Sequence, residues 1–332
     1  MLSQLKSRAV KLAGPLGGYR IAKTLTRSMP KVLMYHRFSQ HQEPGKVSVA
    51  TFEKQMALLS HYFNVVNLSE LCERMAADQH IPSNSVALTI DDGYEDFYHY
   101  AYPILKQYQL PATLYITTDF IDQRIWLWPD SIRYLIQSTE ATSVTVNEHL
   151  TVTWHSDNAN SQANATHKLV QYCKSISNRE KLSLIAMLQE ELAISLPDKP
   201  TSDFNALNWE QVKELSQNCI EIGGHTRTHP ILSQTCESEL SDEISGCKAE
   251  IEKQIGKKVT SFCYPNGTRD DFNDHIKQKV KDAGYQNCTA AYFSQPAFND
   301  LFEIKRNSVS NDVFQFKKAV FGYEHLSKLL KA

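Results

Sequence analysis

The feature that most constrains the fold of this chain is an alternation that begins near Lys31, where short runs of β-branched and aromatic residues are separated by amphipathic segments. Such alternation is typical of βα units wound around a parallel sheet. The candidate strands are residues 32–35, 65–68, 86–90, 112–117, 220–222, 259–264, 286–290 and 303–309. These seven or eight units predict an α/β fold with a closed or nearly closed barrel.

The alternation stops between about residues 119 and 208. This stretch contains Trp126 and Trp128, a predicted hairpin around Asn147 and Glu148, and two polar helical segments between residues 165 and 194. Connections of this length are usually functional lids or subdomains. We therefore predict a barrel domain over residues 31–325 that carries a long insertion.

Residues 1–30 form a basic N-terminal segment with six cations and no acidic residue. Apolar residues recur in it near helical spacing, but the cations interrupt every apolar stretch before it reaches the length of a signal peptide. The pattern is typical of an amphipathic helix that lies on an anionic membrane. An ordinary basic helix packed on the domain, or a frayed terminus, would explain it equally well.

The net charge and the cysteines indicate which partners and which cellular compartment the protein has. The formal net charge of -2 argues against nucleic acid as the main partner, because phosphate binding normally requires a basic excess. The seven cysteines are scattered without a C-x-x-C pair, which indicates reduced and mostly buried thiols. A cytoplasmic protein is therefore expected.

Two adjacent carboxylates, Asp91 and Asp92, follow the predicted strand 86–90 and precede Gly93. Neighbouring side chains at a strand end point in different directions, so one carboxylate can bind a cation while the other faces a water molecule. Capping of the following helix would explain the pair equally well.

His225 and His229 follow the predicted strand 220–222 at a spacing of four residues. At this spacing two imidazoles can share one metal ion, although isolated histidine pairs are usually surface or core residues. A carboxylate from another strand end would complete a three-ligand site with open positions for water and substrate.

A third strand end carries Tyr264, Pro265, Asn266 and Gly267. Proline and glycine flanking one polar residue form a fixed turn, which can present backbone N–H groups to an anionic oxygen. An ordinary tight βα turn would have the same composition.

Taken in order, the motifs T-I-D-D-G-Y (89–94), H-T-R-T-H-P (225–230) and F-C-Y-P-N-G (262–267) resemble those of the polysaccharide deacetylase family, also called the NodB-homology family. The resemblance covers about residues 31–309. It implies a distorted (β/α) barrel with a divalent metal, commonly zinc, at the carboxyl ends of the strands. It further implies that Asp92, His225 and His229 bind the metal, that Asp91 is the general base, and that the backbone at Tyr264 helps to hold the oxyanion.

The sequence departs from the family pattern at two points. The arginine that often orients the base in the third motif is replaced by Cys263, and Arg306 is the best substitute, although a surface arginine would look the same. No late-strand histidine is present to serve as general acid. His36, after the first strand, resembles a permuted acid motif, and barrel closure would place it beside the last strand; a core histidine is the alternative.

Trp126 and Trp128 are candidates for stacking on a sugar ring, because aromatic faces suit the apolar side of carbohydrates. Core packing beneath the insertion would explain both residues equally well.

The resemblance therefore predicts an enzyme that removes an N-acetyl group from an amino sugar in a polysaccharide, an oligosaccharide or a lipid-linked saccharide. Zinc is the expected cofactor, and iron, cobalt or nickel would fit the same ligands. The expected location is the cytoplasm, with contact at the inner face of an anionic membrane. A deformylase or another amidase with the same site, and an inactive saccharide-binding relative, are the alternatives.

Overall fold

The strands and helices are defined in a computed structural model that describes residues 17–329. Its strands are β1 (Lys31–Tyr35), β2 (Phe38–Ser39), β3 (Val47–Ser48), β4 (Asn64–Val65), β5 (Ser85–Ile90), β6 (Ala112–Ile116), β7 (Ser143–Asn147), β8 (Leu150–Thr153), β9 (Ile220–Gly224), β10 (Ser261–Cys263), β11 (Asn287–Ala290), β12 (Ile304–Lys305) and β13 (Asn307–Ser308).

The α-helices are α1 (Tyr19–Leu25), α2 (Val49–Tyr62), α3 (Leu68–Ala76), α4 (Tyr102–Tyr108), α5 (Thr118–Ile121), α6 (Trp128–Ser138), α7 (Ala159–Lys174), α8 (Asn178–Glu191), α9 (Trp209–Gln217), α10 (Glu237–Ser241), α11 (Cys247–Ile255), α12 (Asp274–Asp282), α13 (Val313–Val320) and α14 (Tyr323–Leu329). Two π-helical turns, Phe97–Ala101 and Asp242–Gly246, lead into α4 and α11. Among the described residues, no helix is long and apolar enough to cross a bilayer.

The main sheet is parallel and closes on itself. Its order is β12-β11-β10-β9-β6-β5-β1-β13, and β4 adds to the first residues of β5. The two end strands are neighbours in sequence and are separated only by Arg306. Since β12 pairs with β11 and β13 pairs with β1, the segment 304–308 joins the two edges of the sheet. The predicted distorted barrel is confirmed.

Every residue of β1 and β5 is buried, as expected for parallel strands that are covered on both faces. Helices cover the outside of the barrel; α2, for example, buries Phe52, Met56 and Leu59, which recur at three- and four-residue spacing. The strand predicted for residues 65–68 is shorter than expected. Leu68 belongs instead to α3, because it is buried together with Leu71 and Cys72 on one helical face.

The insertion has a hydrophobic core of its own. Ile132 of α6, Leu169 of α7 and Leu188 of α8 are fully buried in a cluster separate from that of the barrel. The predicted hairpin is present as the antiparallel pair β7–β8, and the two predicted helical segments are α7 and α8. The insertion is therefore a subdomain rather than an extended loop.

The basic N-terminal segment is described only in part. Residues 1–16, which hold most of the predicted amphipathic pattern, lie outside the described residues. Helix α1 packs on the barrel through Ala22 and through Tyr19, whose ring lies 5.0 Å from that of Phe321. Ile21 and Leu25 of the same helix are exposed over 63% and 58% of their surface.

Candidate active site

The carboxyl ends of parallel barrel strands meet on one face, which is where barrel enzymes place their catalytic groups. Asp91 and Asp92 follow β5, His225 follows β9, and Arg306 lies between β12 and β13. All four residues are buried on this face.

Asp92, His225 and His229 converge on one point. The Oδ1 atom of Asp92 lies 3.3 Å from Nε2 of His225 and 3.4 Å from Nε2 of His229. The candidate ligand atoms of the three side chains lie within 4.8 Å of one another. Two imidazole nitrogens and one carboxylate oxygen at this separation fit a divalent cation such as zinc and leave coordination positions open.

The turn after β5 sends the two carboxylates in different directions. Asp92 has a φ of 81° and Gly93 a φ of 94°, so the chain reverses within two residues. Glycine suits position 93 because a φ of 94° strains any residue with a side chain, and a Cβ there would also press on Cδ1 of Ile121 at 2.9 Å. Asp92 consequently faces the histidines, while Asp91 points toward the barrel interior.

The histidine loop is fixed by hydrogen bonds that it donates to its own Thr226 and to Glu243 of a neighbouring π-helical turn. Thr226 and His229 both have positive φ, and Oγ1 of Thr226 accepts a hydrogen bond of 3.0 Å from the His229 N–H. Oε2 of Glu243 accepts from the N–H groups of Arg227 (2.8 Å) and Thr228 (3.0 Å), and Oε1 accepts from the Thr228 hydroxyl. Glu243 therefore holds the loop in an otherwise strained backbone conformation.

The tautomer of His225 follows from its hydrogen bond. Nδ1 lies 2.8 Å from the carbonyl oxygen of Cys263, which can only accept. Nδ1 must therefore carry the proton, and the lone pair of Nε2 is directed to the shared point beside Asp92. This backbone bond to the distal nitrogen is the usual support of a metal-binding histidine.

Asp91 is bound at both carboxylate oxygens by Arg306, with Nη1 2.7 Å from Oδ1 and Nη2 2.7 Å from Oδ2. The arginine is itself fixed, because Nε donates to the Ala290 carbonyl and Nη1 to the Thr89 hydroxyl. Burial alone would raise the pKa of Asp91, but the charge and hydrogen bonds of Arg306 outweigh it and hold that pKa below its usual value. Asp91 is thus an ionised carboxylate.

Cys263 stands beside this pair. Its Sγ lies 3.2 Å from Nη2 of Arg306 and 3.6 Å from Oδ2 of Asp91. Arg306 therefore takes, in space, the place that an arginine of the third motif would have had. The third motif contributes the small thiol of Cys263, and Arg306, between β12 and β13, places its guanidinium against Asp91. Asp91, His225 and Cys263 also cluster closely enough for a metal, but Arg306 already occupies both oxygens of Asp91.

His36 lies on the solvent side of Asp91. Its Nε2 is 3.6 Å from Oδ2 of Asp91, and its side chain is 42% exposed. The next residue, Arg37, is buried, bound to Asp96 at 2.6 Å and centred 3.8 Å above the ring of Tyr94. His36 is therefore not a core histidine, and a substrate can reach it.

The turn of the third motif differs from expectation in one respect. The N–H of Tyr264 donates to the carbonyl of Thr289 at 3.2 Å, so it would have to leave the sheet to bind an oxyanion. Pro265 has no N–H. Asn266, which has a φ of 58°, carries a buried Nδ2 with no hydrogen-bond partner among the described residues. Gly267 is required, since a Cβ there would lie 2.7 Å from the Ala291 nitrogen.

The two tryptophans belong to the insertion. Trp128 is only 4% exposed and lies in the insertion core, so the prediction that it stacks on a sugar is corrected: no ring face is available. Trp126 is half-buried against Tyr134 and Phe204, and its Nε1 donates to the Pro197 carbonyl. Its contacts are those of a packing residue.

Glu243 is the residue that sequence reasoning missed. It occurs in an acidic helical stretch with Glu237, Glu239 and Asp242, where one carboxylate resembles the next. No local pattern separates the buried acceptor from its solvated neighbours.

Known proteins resemble this chain both in sequence and in fold. A family model described as polysaccharide deacetylase matches residues 78–288, more than half of the chain. The Bacillus subtilis (strain 168) protein YxkH, which is named for the polysaccharide deacetylases, is 29% identical over 107 residues. That alignment covers 32% of this chain and 38% of the relative, so the match spans well under half of the relative's length.

Solved structures resemble the whole barrel. The Streptococcus pyogenes deacetylase PplD, solved with acetate, matches with a TM-score of 0.57 and 18% identity over 86% of this chain and 95% of its own. IcaB from Ammonifex degensii matches with a TM-score of 0.57 and 16% identity, over 89% and 97% of the two chains. A de-N-acetylase from Aggregatibacter actinomycetemcomitans gives 0.54 and 18%, over 86% and 96%. At these identities the likeness establishes a shared fold.

Proposed function

Since the chain belongs to the polysaccharide deacetylase family, we propose that it is a metal-dependent hydrolase that removes an N-acetyl group from an amino sugar within a saccharide. The observation that carries this proposal is that two adjacent carboxylates have different partners. Asp92 faces two histidines at 3.3 and 3.4 Å, and Asp91 is bound by an arginine on both oxygens.

Asp92, His225 and His229 would hold the cation. When bound, a divalent ion there would polarise the acyl carbonyl and make a nearby water more acidic. Zinc suits two imidazoles and one carboxylate, although iron, cobalt or nickel would fit the same donors.

Asp91 would accept the proton of the attacking water. The bond to Arg306 makes Asp91 a weaker base, but it also keeps the carboxylate ionised inside the protein and fixes its direction. A fixed weak base is sufficient when the water it deprotonates is already acidified. Arg306 is therefore a positioning residue for the base.

His36 would donate a proton to the leaving amine. It borders the base at 3.6 Å and is open to solvent, so it can contact the sugar nitrogen and afterwards be reprotonated from water. Expulsion of an unprotonated amine is unfavourable, which is why a nearby acid accelerates amide cleavage. Asn266 Nδ2 has no hydrogen-bond partner among the described residues, but it is buried and would have to become exposed to bind a substrate oxygen.

The experiment measures metal content and acetate release together, on N-acetylated oligosaccharides and lipid-linked sugars, for the wild type and Asp91→Asn. One metal in both proteins with acetate from the wild type alone is the expected result. Formate released from N-formyl sugars in place of acetate would identify a deformylase. Metal without any release would favour a saccharide-binding relative.

We also propose that the reaction takes place in the cytoplasm. The support is that all seven cysteines are free and five of them are buried, as in proteins of a reducing compartment. Cys236 is the exposed thiol, and a membrane-impermeant maleimide should label it in lysed but not in intact spheroplasts, with Cys236→Ser as the control. Labelling of intact spheroplasts would contradict this location.

A further inference from the structure

A cavity lies at the opposite end of the barrel from the candidate active site. It has a volume of about 660 Å³ and is formed by α1, the end of α2, the residue before β5 and the end of α13. The strands begin at this end, since Asn84 in its wall precedes β5, whereas Asp91 and Asp92 follow β5. We call this region the basal pocket.

The basal pocket is strongly cationic. Its wall includes Arg20, Lys23, Arg27 and Lys317 and no acidic residue. Within residues 17–329, none of these four side chains forms an ion pair with a carboxylate, whereas Arg37, Arg74, Arg227 and Lys318 do. Four cations without a carboxylate partner around one cavity create a positive potential that an anionic partner would neutralise.

Exposed apolar side chains lie on two of the helices that form the cavity, and one of them, Tyr62, lines it. Ile21, Leu25 and Tyr62 are exposed over 63%, 58% and 44% of their surface, and they are three of the five large hydrophobic side chains most exposed in the described chain. Ile21 and Leu25 are one helical turn apart on α1, on a different side of the helix from Arg20 and Lys23, which line the cavity. An exposed helix with an apolar side and a cationic side is typical of proteins that bind the membrane interface.

We propose that the basal pocket and the exposed edge of α1 form a docking surface for an anionic lipid membrane. The cations would contact lipid phosphates, and Ile21, Leu25 and Tyr62 would enter the interface between headgroups and acyl chains. A free phosphate compound would satisfy the cations but would leave these three apolar side chains in water. The combination of charge and exposed apolar surface therefore favours lipid.

This docking would orient the enzyme. Strand β5 runs from Ser85 near the basal pocket to Ile90 near Asp91, a length of about 20 Å. The candidate active site would then face away from the membrane, toward saccharide that extends from the surface. The docking itself does not depend on the reaction that the site performs.

The test uses the full chain with vesicles of phosphatidylcholine alone and of phosphatidylcholine with phosphatidylglycerol, separated by flotation. The wild type should bind only the anionic vesicles. The triple variant Arg20→Gln, Lys23→Gln, Lys317→Gln should lose about 100-fold in affinity. Ile21→Ser with Leu25→Ser, which keeps every charge, should lose about tenfold.

The control carries the same change of net charge elsewhere: Lys168→Gln, Arg179→Gln, Lys199→Gln, at three exposed positions of the insertion, which follows the carboxyl end of β6. It should bind as the wild type does, and thermal melts should show all variants to be folded. The proposal is overturned if the wild type does not bind anionic vesicles or if the basal triple variant binds them as tightly as the control does. Calorimetric binding of inorganic phosphate by the wild type without vesicle binding would overturn it in favour of a soluble anion.

Discussion

Arg306 and Asp91, 215 residues apart in sequence, form a two-point pair in which both guanidinium nitrogens lie 2.7 Å from carboxylate oxygens. The pair is buried from solvent on both sides. Such a geometry fixes a carboxylate in direction as well as in charge. The arginine is held by the carbonyl of Ala290 and the hydroxyl of Thr89, so Asp91, the proposed base, is linked through Arg306 to β5, β11 and the segment between β12 and β13.

Arg306→Gln should reduce turnover about 100-fold while the metal content stays unchanged, because the base loses its fixed direction and the ligands are untouched. It should also lower the free energy of unfolding by about 3 kcal/mol, since a buried carboxylate is left without its partner. Arg74→Gln, which breaks an exposed pair with Glu70, is the matched control and should change neither quantity measurably. Normal turnover in a folded Arg306→Gln protein would refute the positioning role.

Asp91 and Asp92 are adjacent, so the same substitution at each position separates metal binding from turnover. Asp92→Asn should lose metal and activity together, because the amide is a poor third ligand. Asp91→Asn should retain the metal and lose at least about 100-fold in turnover. The measurements are metal content by mass spectrometry and acetate release. The assignment of the base fails if metal-loaded Asp91→Asn is nearly as active as the wild type.

His36→Ala should slow amide hydrolysis about 100-fold without changing metal content, since the side chain contacts the base and no ligand. An aryl acetate, whose leaving group needs no proton, should be cleaved by this variant almost as fast as by the wild type. His41→Ala, at an exposed position nearby in the chain, is the control. Equal losses on both substrates would indicate a role other than proton donation.

Glu243→Leu should weaken metal binding about 10- to 100-fold, because it removes the acceptors of the Arg227 and Thr228 N–H groups and of the Thr228 hydroxyl. Equilibrium dialysis with zinc measures this loss without reference to turnover. The exposed Glu239→Leu should bind zinc as the wild type does. An unchanged affinity in Glu243→Leu would show that the loop holds its conformation without this carboxylate.

His325 gives the fold a pH dependence that is separate from the site. Burial, and then the neighbouring charge of Lys31, lowers the pKa of His325 from 6.5 to about 4. Between these values the unfolded chain binds one proton more than the folded chain, so this residue should make stability rise by about 3 kcal/mol from pH 4 to pH 6.5. Urea titrations should show a rise about 3 kcal/mol smaller in His325→Leu than in the wild type and in the exposed control His149→Leu.

The barrel could be predicted because alternation of strands and helices is a local property of the sequence. The grouping of Asp91, Asp92, His225 and His229 could be predicted as well, since each follows a strand and parallel strands end on one face. The run at residues 65–68 was ambiguous, because three apolar residues around Asn67 fit a strand or the first turn of a helix. Only the burial of Leu71 and Cys72 with Leu68 decides for the helix.

Contacts between distant residues could not be derived from the sequence in the same way. Arg306 was a candidate by its chemistry, but its reach to Asp91 depends on how the last strand closes the sheet. An indole ring such as that of Trp128 can either stack on a sugar or pack in a core, and the sequence alone does not distinguish these two roles. Glu243 follows no motif, because its role arises from where a π-helical turn places it.

The closure of the barrel has a further consequence for how this protein can fail. A single segment, residues 304–308, pairs with both β11 and β1 and carries the guanidinium that binds Asp91, the proposed base. Closure of the sheet and the direction of Asp91 therefore depend on one piece of backbone. A molecule in which this segment detaches is expected to lose activity before the rest of the barrel unfolds, so that turnover would report the closure of the barrel.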